Sequence, residues 1–177
     1  MDQELLSIVD GFQFDQVAQF STSIIKPVKS LYEMCSNGRC RSYNSRYSCP
    51  PAVGTFESLQ VELSGYKEGI VLGKVYQIGS NFDFEGMIDA SREFGVEIVE
   101  LKKAFQNKGI EAMVMGSGGC RVCEECSYPD APCQHPEIMI RSISCFGINV
   151  GQVVRDCGLS YNSGDRTVAY FSFALSN

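Results

Sequence analysis

Residues 111–133 read EAMVMGSGGCRVCEECSYPDAPC, a short apolar run followed by glycines and four cysteines. The first five residues, 111–115, are mostly apolar and predict a short strand. A glycine-rich turn at 116–119 ends that strand, and the chain then enters a run of cysteines. Loops at strand ends commonly carry functional groups, because a rigid sheet positions them. The stretch therefore predicts a sheet with a cysteine-rich loop at its edge.

The sequence before this stretch predicts a second strand and a long helix. Residues 70–78 are rich in β-branched and aromatic side chains and are bounded by Gly69 and Gly79, as expected of a strand. Apolar side chains then recur at three- and four-residue steps, which is typical of one face of an amphipathic helix. They are Phe84, Met87, Ile88, Phe94, Ile98, Leu101 and Phe105. Gly95 falls inside this helix and is a candidate bend.

The remaining segments complete an α/β pattern. In chain order they are a β-prone run at 23–28, a short helix at 55–64, a helix from Pro136 towards Cys145, a helix at 152–157 and a strand at 167–175. Strands that alternate with helices predict a sheet packed with helices. We expect about four strands, two cysteine-rich metal loops at strand ends, and a single metal-binding domain over residues 1–177.

Charge and hydropathy argue against several classes of function. The chain carries 15 basic and 21 acidic residues, a net charge of -6, whereas affinity for nucleic acid rests largely on Lys and Arg. We therefore expect no nucleic-acid partner. No stretch approaches the roughly 20 consecutive apolar residues that span a bilayer, so we expect no membrane association. The acidic start of the chain does not resemble a signal peptide, which predicts a cytoplasmic location.

Cysteine is the residue type that stands out. The chain has nine cysteines and one histidine. Cytosolic thiols are kept reduced, so this number of cysteines indicates metal binding rather than disulfides. A ligand set rich in thiolate and poor in imidazole favours iron–sulfur clusters or all-cysteine zinc sites. Seven cysteines form two groups, which we call the first island (Cys35, Cys40 and Cys49) and the second island (Cys120, Cys123, Cys126 and Cys133).

The second island predicts a [4Fe–4S] cluster. Two-residue spacers let Cys120, Cys123 and Cys126 curl around one cubane, and bacterial ferredoxins open with the same spacing. Cys133 follows after six residues and can close the set at four. The alternatives are structural zinc, which usually takes separated cysteine pairs, and His135 in place of Cys133 as fourth ligand. We also expect the glycines of the preceding turn to direct N–H groups at sulfur, and Cys133 to precede a helix N-terminus.

The first island is looser and allows more than one interpretation. Cys35, Cys40 and Cys49 precede a rigid Pro50-Pro51. The three thiolates could hold a second [4Fe–4S] cluster whose fourth iron is open or is filled from elsewhere. They could also share one site with the second island. Zinc or reduced core thiols are the remaining alternatives.

Two further patterns lie in or beyond the islands. Arg39, Arg41 and Arg46 could offset the charge of an anionic cluster, dock an acidic partner, or form a solvated loop. Cys145 and Cys157 stand alone and are interpreted as core thiols, because a free cysteine is often a small buried hydrophobe. Cys145 is the better candidate for a missing fourth ligand.

Taken together, these motifs resemble a cysteine-rich prokaryotic family described as predicted metal-binding proteins. The residues that carry the resemblance are Cys35, Cys40, Tyr43, Cys49-Pro50-Pro51, Gly118-Gly119-Cys120, Cys123, Cys126, Pro132-Cys133, His135-Pro136, Ser142 and Gly147-Ile148-Asn149-Val150. The likeness runs from about residue 26 to the terminal strand. It implies metal binding, with iron–sulfur chemistry, in organisms that are often anaerobes, and it supplies no reaction. The seven island cysteines match the family motif, whereas Cys145 and Cys157 fall outside it.

Three functions fit these patterns. The first is a small redox protein that passes single electrons through one or two [4Fe–4S] clusters to a redox partner protein. The second is an enzyme that binds substrate at an open iron of a three-cysteine cluster. The third is a zinc-bound interaction module without a redox role. A Ser/His/Asp hydrolase is excluded, because the single histidine, His135, lies within the second island. The sequence predicts no oligomeric state.

Overall fold

The computed structural model describes residues 3–38 and 40–177 and contains a five-stranded mixed sheet packed with helices. The strands are β1 (Gln16–Ser21), β2 (Glu68–Gln77), β3 (Met113–Gly116), β4 (Arg141–Ser142) and β5 (Thr167–Ser176). Their order across the sheet is β1-β2-β5-β3-β4. Neighbouring strands run antiparallel except β3 and β4, which pair in parallel. β5 therefore lies at the centre of the sheet.

Five α-helices flank this sheet in the described part of the chain. They are α1 (Gln3–Val9), α2 (Lys29–Glu33), α3 (Phe56–Leu63), α4 (Phe84–Asn107) and α5 (Val150–Asp156). Short 3-10 helices lie at Thr22–Ile24, Met34–Ser36 and Ile143–Phe146. Thr55, Asp83 and Asn149 each accept a hydrogen bond from the backbone N–H three residues ahead, which caps α3, α4 and α5. These caps fix where the three helices begin.

The sheet separates two hydrophobic cores. Ile70 and Leu72 of β2 pack with α1 and α4 on one face, whereas Val71 packs with α3 and α5 on the other. This division follows from the alternation of side chains along a strand. The core under α3 and α5 also contains Cys49 and Cys145, which are 3% and 1% exposed. Two of the nine thiols are thus part of the packed interior.

Most of the predicted elements are confirmed. The strands at 70–78, 111–115 and 167–175 and the helices at 55–64 and 152–157 all occur, with small shifts at their ends. Phe171, Phe173 and Leu175 of the last strand share one face and one core. The sheet has five strands rather than about four, because β1 and the two-residue β4 were not anticipated.

Three local predictions were wrong. The run at 23–28 is not a strand: the strand lies earlier, at β1, and the Ser21 hydroxyl accepts from Ser23 N to start a 3-10 helix. The helix expected from Pro136 is replaced by a turn, β4 and a 3-10 helix. The third concerns α4, which runs unbroken through Gly95, the candidate bend. Phe84 and Ile88 were assigned to its apolar face but are 69% and 49% exposed, because the first turns of the helix extend past the core.

The two islands occupy different places in this fold. The second island follows β3 directly and fills the irregular segment between β3 and β4. The first island begins in the 3-10 helix at Met34–Ser36 and ends just before α3. Among the described residues, no helix is long and apolar enough to cross a bilayer.

Candidate metal centre

The four cysteines of the second island surround one small cavity. The cavity is lined by Cys120, Cys123, Cys126 and Cys133, and also by His135. As the side chains stand, the space between them measures about 20 Å³, close to the room that one water needs. A cubane therefore fits only if the thiols rotate outward, and all four have the partial exposure that allows it.

The thiols of this cavity influence one another electrostatically. Partial burial raises the pKa of Cys123, and the neighbouring thiols of Cys120, Cys133 and Cys126 raise it further. Converging thiolates repel one another, so this donor set suits a cation or a cationic cluster core. Across residues 3–38 and 40–177, no three His, Cys, Asp or Glu side chains are grouped as they would be around a single metal ion. A tetrahedral zinc site would draw its sulfurs to about 3.8 Å from one another.

The end of the first island closes this cavity from the other side. Arg46 Nη1 donates a hydrogen bond to the Cys120 carbonyl at 2.9 Å, and Cys120 N–H donates to Ser48 Oγ at 2.8 Å. At Gly119, a Cβ would lie 2.9 Å from both Arg46 Cδ and Ser42 Oγ, so glycine permits this close approach. The Cys120 N–H thus binds the side chain of Ser48, which directly precedes Cys49.

Two tyrosines fasten the cysteine loop to the first island. The Tyr47 hydroxyl donates to the Ala131 carbonyl at 2.7 Å, and the Tyr128 hydroxyl donates to Asn44 Oδ1 at 3.0 Å. The two rings meet edge to face with centroids 5.1 Å apart. The loop therefore depends for its position on side chains that come from the other island.

A second group of thiols lies under this contact. Cys145 is in hydrogen-bonding contact with both Cys35 and Cys49, and its Sγ lies 3.5 Å from the Ser48 carbonyl. Ser48 Oγ lies 3.7 Å from Cys49 Sγ. We call Cys35, Cys49 and Cys145 the buried triad. Ser48 itself is fully buried. It bonds the Cys120 backbone of the second island and lies beside Cys49 and Cys145 of the buried triad.

Charge within the buried triad is unevenly distributed. The thiol of Cys145 lowers the pKa of Cys49 to about 7 despite burial, with help from Ser48 and Arg46. The same contact lowers the pKa of Cys35. The pKa of Cys145 is raised, because its proton serves Cys35 and Cys49 and because it is buried. Cys145 is therefore the donor, and its contacts favour the thiolate forms of Cys35 and Cys49.

Cys40 is set apart from the rest of the first island. It is exposed and lines an open groove of about 380 Å³. Cys35 lines the same groove, so the groove leads from solvent to the edge of the buried triad. Cys157 packs against the core under α3 and α5, where burial raises its pKa, as expected of a core thiol.

The grouping of the cysteines was only partly foreseen. The second island forms one group, but Cys133 precedes a turn rather than the expected helix. Cys145 lies beside Cys35 and Cys49 of the first island. The sequence pointed to this only by making Cys145 the better candidate for a missing fourth ligand. Arg46 reaches the second island, whereas Arg39 lies outside the described residues. All nine cysteines are free thiols.

Comparison with known proteins gives one result. No curated protein and no solved structure matches the chain. A family model described as predicted metal-binding protein (DUF2284) matches residues 18–176, which covers nearly the whole chain and both islands. The chain therefore belongs to this predicted metal-binding family.

Proposed function

We propose that the chain holds a [4Fe–4S] cluster on Cys120, Cys123, Cys126 and Cys133 and passes single electrons to a partner protein. The observation that carries this proposal is the convergence of these four thiols on one cavity, combined with the two-residue spacing of the first three. When bound, such a cluster would accept and release one electron at a potential set by its surroundings.

The residues around the cavity have separate roles in this proposal. Arg46 lies on the cavity wall and bonds the Cys120 carbonyl, so its positive charge partly offsets that of an anionic cluster. Val122 and Met139 line the same cavity and limit the access of water. Ser48 fixes the backbone of Cys120 through a partly buried hydrogen bond. Positive charge and hydrogen bonds of this kind raise the reduction potential of a cluster. Exclusion of solvent lowers it, because added charge is less stable without water.

A zinc-bound interaction module is the competing assignment. The thiols of the second island are not gathered into the compact arrangement of a single-ion site. Zinc also usually takes separated cysteine pairs, whereas the second island opens with a triplet. The spacing favours the cluster, and metal analysis decides between the two.

The test is anaerobic purification followed by iron, sulfide and zinc analysis, with EPR of the reduced protein. We compare wild type with Cys126→Ser, and we use Cys157→Ser as the matched control because Cys157 lies in the core and not on the cavity. Cys126→Ser should lose about four iron per chain and the matching EPR signal, and Cys157→Ser should lose neither. Zinc without iron in the wild type, or an unchanged iron content in Cys126→Ser, would refute the proposal.

A further inference from the structure

We propose that two copies of the chain pair through strand β1, so that their two sheets join into one sheet with twofold symmetry. The two β1 strands run antiparallel, and Gln19 lies at the twofold axis. This inference is independent of the metal centre, because the second island lies between β3 and β4, at the opposite side of the sheet.

The first support is a row of backbone groups at the outer edge of β1. Within residues 3–38 and 40–177, β1 pairs with β2 and with no other strand. Thr22 N–H donates to the carbonyl of Lys67, directly opposite, at 2.9 Å, which identifies a hydrogen-bonded pair of the antiparallel ladder. Such pairs alternate along the ladder, so Val17 and Gln19 direct their N–H and C=O groups away from β2. A row of this kind is a template for another strand.

The second support is a difference between the two edges of the sheet. Edge strands usually resist pairing because they are short, charged, interrupted by proline or covered. At the far edge, β4 has only two residues, and one of them is Arg141, which binds Glu62. β1 has six residues and contains neither a charge nor a proline. Open grooves of about 450 Å³ and about 410 Å³ adjoin the end of β1 at Ser21, so this edge is accessible.

The third support identifies a second copy as the partner. A strand that pairs with its own copy places its charges opposite or near their duplicates, and like charges opposite each other are destabilising. β1 avoids this repulsion because it is neutral. The charge that directly precedes it, on Asp15, is directed to β2, where Oδ2 accepts from Val75 N–H at 2.7 Å. A net charge of -6 keeps chains apart elsewhere, so a neutral edge is where two copies can meet.

Symmetry fixes the register of the pair. With Gln19 at the axis, each Gln19 faces its own copy and Val17 faces Ser21 of the second copy, so the outward backbone groups meet one another. The two exposed Gln19 side chains then lie side by side, where one amide can donate to the other. Phe20 faces Ala18 of the second copy. Since Phe20 belongs to the core under α3 and α5, the apolar surface of that core continues across the junction.

The experiment measures the mass of the metal-loaded protein by sedimentation over a series of protein concentrations. Wild type is compared with Gln19→Lys, which places two positive charges at the axis. The matched control is Gln77→Lys, because Gln77 is an exposed strand residue that β1 does not reach. We expect wild type and Gln77→Lys to have twice the mass of one chain, and Gln19→Lys to associate at least about tenfold more weakly. Iron content should be the same in all three proteins.

Hydrogen exchange, resolved to single amides, tests whether β1 is the surface that pairs. On dilution of the wild type, exchange at Val17 and Gln19 should accelerate, whereas exchange at Ala18 and Phe20, which bond β2, should not. Circular dichroism verifies that each variant is folded, and Gln19→Glu replaces Gln19→Lys if the latter does not fold, because it also places like charges at the axis.

Three results would overturn this inference. The first is a wild type that is monomeric at every concentration. The second is a dimer that the charge at position 19 leaves as stable as the wild type. The third is a dimer in which exchange at Val17 and Gln19 does not depend on protein concentration, since its interface then lies elsewhere. None of these results bears on the proposed function, which iron analysis of the same samples tests separately.

Discussion

The buried triad and the second island present the same chemical group in opposite structural settings. Cys49 and Cys145 lie in the core under α3 and α5, where short helices and core packing hold them without a metal. The second island lies in an irregular segment between β3 and β4, where side chains from the first island provide much of the support. The fold therefore prepares one thiol group by packing, whereas the other depends on bonds that the loop itself cannot supply.

The largest effect should follow from metal removal. With a chelator under reducing conditions, we expect protease cleavage within residues 117–140 to accelerate at least about tenfold, because this segment has no regular structure to hold it. Cleavage within 143–157, next to the buried triad, should change much less, since core packing remains. Limited proteolysis with mass spectrometry measures both rates. Equal protection of 117–140 with and without metal would remove the contrast between the two groups.

A smaller effect, on the free energy of unfolding, is expected from removing one thiol from the buried triad or from the second island. In the presence of a chelator, Cys145→Ala should lower the free energy of unfolding by about 1 to 3 kcal/mol, because it leaves a cavity in a packed core. Cys126→Ala, at a half-exposed loop position, should change it by no more than about 0.5 kcal/mol. Urea unfolding measures both. A large loss in Cys126→Ala would mean that the loop is packed as firmly as the core.

The smallest effect is a titration. With a chelator present, thiolate absorbance of Cys49 should appear with a midpoint at about pH 7, and Cys49→Ala should lack it, because Cys145 stabilises the Cys49 thiolate. Cys123 should ionise above the usual thiol range, because its neighbours and burial raise its pKa.

The same pKa fixes the sign of the effect of pH on stability. Since folding lowers the pKa of Cys49 from 9.0, its contribution is full above pH 9 and is lost as pH falls through about 7. As pH rises from about 7 to 9, the free energy of unfolding of the wild type should therefore increase relative to that of Cys49→Ala. A flat difference between the two proteins over this range would contradict the assignment.

The sequence predicted the regular elements better than the loops. Runs rich in β-branched and aromatic residues predicted β2 and β5, which are buried on both faces, and the period-3.6 pattern predicted most of α4, which buries one face. β1 was missed because its buried and exposed positions lack a strong apolar contrast, and only Phe20 in it is buried. β4 was missed because two residues are too few to carry a pattern.

The candidate site was predictable only where its residues are close in the chain. The spacing of Cys120, Cys123 and Cys126 already implied one group. The approach of Cys145 to Cys35 depends on how the 3-10 helix at Ile143–Phe146 packs beneath α2, and no local pattern reports such a contact. For the same reason Ser48, which no motif singled out, was not anticipated as the residue between the two thiol groups.

The position of Ser48 also has a consequence for the order of folding. Its hydrogen bond with Cys120 joins residues 72 positions apart, and the chain between them contains β2 and α4. Closing a loop of that length costs conformational entropy that no nearby turn or helix recovers. Contacts of such long range form late, after the sheet has brought their ends together. A peptide that contains only one island would therefore lack the side chains that the other island's segment contributes. The second island is fully supported only when the whole sheet is in place.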